Sequence, residues 1–112
     1  MSYDISLVDP KTKKVLELDE PHDIPGGTKE LHLNITYNYS PIFRRVFGEK
    51  GVRSIYGLTG SKSVPILGEA IRHLKSDPDP DYWKATDGNA QIALIGLLIL
   101  AVQRPDGIWE GD

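Results

Sequence analysis

Hydroxyl, imidazole, carboxylate and aromatic side chains are the groups here that could do chemistry, and their spacing decides which chemistry is open to them. Gly57-Leu58-Thr59-Gly60-Ser61-Lys62-Ser63 has the outline of a phosphate-binding loop. That motif needs glycine, lysine and a hydroxyl residue in direct succession, so that backbone N–H groups and the lysine converge on the phosphates. Ser61 stands between Gly60 and Lys62 and no strand precedes the loop, so a helix-capping loop is expected instead. Asp77, Asp79 and Asp81 alternate like the opening of a calcium loop, yet Tyr82 and Gly88 stand where glycine and glutamate belong. A solvated acidic linker is the expectation there. His22, His32 and His73 form no pair at helical spacing, so no metal site is expected on them. His32, on the polar side of a strand, is the one best placed to act. Serines and threonines are present without a nucleophile elbow, and with no cysteine there are no thiolate nucleophiles, thiolate metal sites or disulfides.

What does cluster is aromatic and polar. Tyr37, Asn38, Tyr39, Tyr56, Tyr82, Trp83, Asn89 and Trp109 all fall at the ends of expected elements, where side chains leave the core. Tyrosine and tryptophan combine a large apolar area with one polar tip, which suits both recognition surfaces and packing over helix ends.

The elements that position these groups follow from periodicity. Tyr3, Ile5 and Leu7 alternate with polar residues and predict a strand, followed by a turn at Asp9–Lys13 and a return strand over Val15–Leu18. Glu20–Gly27 carries two prolines and two glycines and predicts a loop. Leu31, Leu33, Ile35 and Tyr37 then define a third strand whose other face, His32, Asn34 and Thr36, is polar. Ser40-Pro41 predicts a helix start with Ser40 as its cap, and Val64, Leu67, Ile71 and Leu74 mark an amphipathic helix capped by Ser61 or Ser63. A last helix, from about Gly88 to Gln103 with Thr86 or Asp87 as its cap, is apolar nearly all round and is expected at the centre of the packing, with residues 108–112 as a tail. The expected core is Ile5, Leu7, Leu31, Leu33, Ile35, Phe43, Phe47, Leu67, Ile71, Leu94, Leu97, Leu98 and Ala101.

These elements make an α+β fold in a single domain over residues 1–112: a small three-stranded antiparallel meander followed by about three helices on one face. The 112 residues, 39% of them hydrophobic, suffice for one core without staples. The longest apolar run, Ile92 to Val102, is about half of the roughly 20 residues a membrane span needs. A net charge of −3 argues against non-specific nucleic-acid binding. Met1-Ser2-Tyr3-Asp4 lacks the basic and apolar regions of a signal peptide, so a cytoplasmic protein is expected.

Three stretches together carry a resemblance: Asn34–Pro41; Tyr82-Trp83 with Thr86–Ala90; and Arg104–Asp112. With Tyr3-Asp4 and Gly26-Gly27, they make the chain similar, over nearly its whole length, to a family of small uncharacterised proteins encoded by phages and prophages of Gram-positive and gut bacteria. That family lends no catalytic residues. It implies a phage accessory protein acting in the host cytoplasm, where it inhibits or sequesters a host or defence protein or a small molecule. The implied binding surface is Asn34, Tyr37, Asn38, Tyr82, Trp83, Asn89, Asp106 and Trp109, with no cofactor and no metal. The alternatives are a virion structural or assembly component, which would be a homo-oligomer, and a small enzyme with a site built from Asn, Tyr and Asp.

Overall fold

A computed structural model of the chain describes residues 1–24 and 27–112; Pro25 and Gly26, in the loop expected over Glu20–Gly27, lie outside the described residues. In chain order the elements are β1 (Ser2–Val8), β2 (Glu17–His22), β3 (Thr28–Glu30), β4 (His32–Thr36), α1 (Ser40–Phe47), α2 (Gly60–Arg72), α3 (Asp87–Gln103) and β5 (Ile108–Gly111). Short 3-10 turns cover Tyr37–Tyr39 and Gly51–Ile55. The fold is α+β, with antiparallel sheets and, among the described residues, three helices.

The alternation in β1 does what period two demands. Tyr3, Ile5 and Leu7 are buried, while Ser2, Asp4 and Ser6 face outward. The three-stranded sheet is not the expected meander, however. β1 is its middle strand, in the order β4-β1-β5. Val15 makes only an isolated bridge to Val8, and the chain passes instead into a separate two-stranded sheet of β2 and β3. So part of the segment expected as a loop, Glu20 to His22, belongs to a strand. Its pairing carries a register shift in the interval that holds Pro21, a residue without an N–H for the ladder.

The place beside β1 goes to β5, the expected tail. The physical reason is Trp109, which sits opposite Leu7 and is fully buried, a larger apolar gain than Val15 or Leu18 can offer. Its indole N–H donates to the Ser63 hydroxyl at 2.8 Å. The two sheets join where Leu7, Leu16 and Leu31 close a ring of backbone hydrogen bonds: Leu7 N–H to Leu31, Leu31 N–H to Leu16 and Leu16 N–H to Leu7, at 3.0, 2.9 and 2.9 Å.

Helix starts differ in detail from the expected caps. A 3-10 turn runs straight into α1, so Thr36 caps the turn and Ser40 is already helical, its hydroxyl 2.5 Å from that of Tyr3. In α2 the cap is Thr59, whose Oγ1 accepts the Lys62 N–H. Ser63 is buried and donates to the Gly60 carbonyl. α3 starts as expected, with Thr86 Oγ1 accepting from Asn89 N–H.

α3 packs on α2 and the sheet through Leu94, Leu97, Leu100 and Ala101, all buried. It is not enclosed all round. Ile92 is 58% exposed, Ile95 38% and Val102 61%, because three short strands and one helix cannot cover its full circumference. Of the expected core, Leu33, Phe47, Ile71 and Leu98 are half-buried at its margin, while Tyr39, Val52, Ile55 and Trp109 belong inside. No helix among the described residues is long and apolar enough to cross a membrane.

Candidate functional site

The acidic segment between α2 and α3 is a strap tied to the start of α3. Asp77 accepts the Gly88 N–H at 2.9 Å. A Cβ on Gly88 would lie 2.2 Å from the Pro78 nitrogen, so only glycine permits this approach. Asn89 is buried and fully engaged: its Oδ1 accepts the Asp79 N–H, and its amide donates to the Asp81 and Lys84 carbonyls, at 2.8, 2.9 and 2.9 Å. Asp79 and Asp81 each accept an N–H two residues on, from Asp81 and Trp83. These hydrogen bonds hold Asp79 below the usual carboxylate range, backbone donation from Asp81 being the largest cause and Lys84 adding to it. The alternating aspartates therefore shape a strap, and no group of three or more metal-ligating side chains forms among the described residues. From below, Arg45 of α1 reaches Asp87 at 2.6 Å, and this hydrogen bond lowers the Asp87 carboxyl.

The strap delivers Tyr82 to the free edge of β4. An edge strand presents unpaired N–H and C=O groups. The Tyr82 hydroxyl takes two of them, accepting from Thr36 N–H at 3.0 Å and donating to the Asn34 carbonyl at 3.4 Å. Tyr39 donates its hydroxyl to the Tyr82 carbonyl, and the two rings meet edge to face at 5.8 Å. Burial pushes the Tyr39 phenol up to about 12. Asn38 fixes the next residue, donating to the Trp83 carbonyl at 2.8 Å, while Trp83 as a whole is 60% exposed.

Between this strap, β4 and α3 opens a cleft of about 400 Å³. Leu33 and Ile35 of β4 form one wall, Ile92, Ala93 and Gly96 of α3 another. A Cβ on Gly96 would stand 3.0 Å from Leu33 Cδ1, so the glycine sets how closely helix and strand approach. Ile24 with Asp23 borders one side, and Asp79, Pro80 and Tyr82 border another. Size and mostly apolar lining match a small-ligand site.

A second constellation lies on the outer face of the sheet. Ser6 Oγ is 2.8 Å from His32 Nδ1, and His32 Nε2 is 3.6 Å from Asp4 Oδ1, a serine–histidine–aspartate series in space. Acyl transfer would also require donors aimed at a developing oxyanion. β1 is the central strand, so its N–H groups are engaged in ladders on both sides, and the Asp4 N–H goes to Asp112 Oδ1 at 2.9 Å. Asn34 joins the network, donating to Ser2 and Asp4 at 2.6 and 2.8 Å. The trio makes a hydrogen-bonded polar surface in which the Asp4 N–H is already taken by Asp112.

Of the eight residues singled out by sequence, five come together at the strap: Asn34, Asn38, Tyr82, Trp83 and Asn89. Asn34, Tyr82 and Asn89 line the cleft itself. Tyr37 packs instead against Tyr3, with ring centroids 4.5 Å apart, and beneath Arg53. Asp106 is exposed and forms a two-point pair with Arg104 at 3.0 and 2.9 Å, a turn device. Trp109 is no surface residue at all, since β5 carries it into the core. Sequence reasoning missed Asp23, Ile24, Leu33, Ala93 and Gly96. The signal that could have found the α3 wall was a lone glycine inside a helix too apolar for its exposed circumference. No protein-family model, curated protein or solved structure matches the chain.

Proposed function

We propose that this chain is a binding protein that acts in a host cell's cytoplasm by occluding or sequestering a component of that cell, and that the cleft between β4 and α3 is where it does so. The cleft carries this reading: a concavity of about 400 Å³ with apolar walls, rimmed by Tyr82 on a strap held rigid by Asn89 and Gly88. Rigid aromatic groups at the mouth of an apolar pocket suit recognition, because little side-chain freedom is lost on binding. The resemblance to phage-encoded proteins supports an accessory role of this kind. The test is capture from host lysate on wild-type protein and on Ala93→Phe, whose ring would fill the cleft. A component kept by the first and lost by the second, at equal melting temperature, supports the reading. Equal retention by both rejects it.

A second reading rests on α3. Ile92, Ile95 and Val102 leave an exposed apolar face on a helix without charge from Gly88 to Gln103. A virion component would assemble through such a face by symmetric repetition. It requires a defined oligomer in light scattering that Ile95→Glu disperses.

A further inference from the structure

Resting on the cleft as the binding site, we infer that its ligand is a small organic cation, an amine or ammonium group on an apolar or aromatic body. The hydrogen-bond inventory points there. Four described lining residues carry side-chain N–H or O–H donors, and all are engaged within the protein. Asn34 donates to Ser2 and Asp4, and Asn89 to the Asp81 and Lys84 carbonyls. Tyr39 donates to the Tyr82 carbonyl, and Tyr82 to the Asn34 carbonyl. No side-chain donor is left to receive a phosphate or a carboxylate.

What remains on offer is negative. Asp23 and Asp79 border the cleft, and no lysine, arginine or histidine lines it among the described residues. Asp23 forms no ion pair among those residues, and Asp79, besides accepting the Asp81 N–H, has one ion-pair partner, the exposed and solvent-screened Lys84 at 3.4 Å. Tyr82, partly exposed at the rim, adds an aromatic ring, and the quadrupole of such a ring attracts cations. Leu33, Ile35 and Ala93 would hold the apolar body. Complementary charge at a mouth above apolar walls selects a cationic head on an apolar stem.

The test uses three probes of one shape: 2-phenylethylamine, 2-phenylethanol and 3-phenylpropionate, titrated by calorimetry into wild-type protein. The amine is expected to bind about ten- to a hundredfold tighter than the alcohol, as a hydrogen bond to a charged group predicts, and the acid weakest. Its affinity should fall with added salt. Asp23→Asn with Asp79→Asn should weaken the amine about tenfold and leave the alcohol unchanged. Asparagine keeps the oxygen that accepts the Asp81 N–H, so the strap persists. An alcohol binding as tightly as the amine overturns the inference and leaves the cleft as the site. No binding by any probe also overturns it, and Ala93→Phe then decides the cleft separately: equal lysate capture by both baits removes that reading too.

Discussion

Asn89 shows what a single side chain does in this molecule. It bonds to backbone groups at residues 79, 81 and 84, so the strap's path depends on one buried amide. Asn89→Ala removes three part-buried hydrogen bonds; the expected loss is about 2–4 kcal/mol by denaturant unfolding, with the exposed Trp83 gaining mobility in its fluorescence anisotropy. Tyr56 presents the opposite case. Its hydroxyl is buried with no hydrogen-bond partner among the described residues, and burial pushes the phenol above its ordinary value. Tyr56→Phe should therefore be neutral or stabilise by about 1–2 kcal/mol in the same assay. In sequence both were polar residues near element ends. Their difference lies in partners brought from elsewhere along the chain.

The place of α3 in the chain was legible from its long apolar run, and its cap was narrowed to Thr86 or Asp87, because local hydrogen bonding decides the cap. Which of its faces is covered was not legible, since every face is apolar and coverage depends on the length of β4 and the tilt of α2. Val102→Glu, on an exposed position, should change stability by no more than about 0.5 kcal/mol, whereas Leu97→Ala should cost about 2–5 kcal/mol in thermal unfolding. β5 was misread for a related reason. Four residues after a turn carry too little pattern to signal a strand, and only the register against β1 shows that Trp109 belongs beneath the sheet. Likewise the loop expected at Pro21 became part of β2 because its partner, β3, is a three-residue strand too short to show a period.

For the molecule as a whole, the α+β class followed from period-two residues giving way to helical ones, and that order survives folding with β3 and the last strand, β5, added. The candidate site was half legible: Tyr82, Asn89 and Asn34 were visible as aromatic and amide residues at element ends, while Leu33, Ala93 and Gly96 looked like ordinary core. Titration tests the packing globally. Tyr39 and Tyr56 have folded-state values raised above the unfolded value of about 10. Their neutral forms are thus favoured by the fold, and the stability they contribute is complete below pH 10 and is lost as pH rises toward 12 and beyond. Ultraviolet titration should show these phenols ionising late and together with unfolding. The cleft itself is tested most directly by the amide nitrogen–proton spectrum during addition of 2-phenylethylamine. Binding in the cleft should give shifts concentrated at Leu33, Ile35, Ala93, Gly96 and Tyr82. Shifts centred on Ser6 and His32, or none above buffer controls, would contradict it.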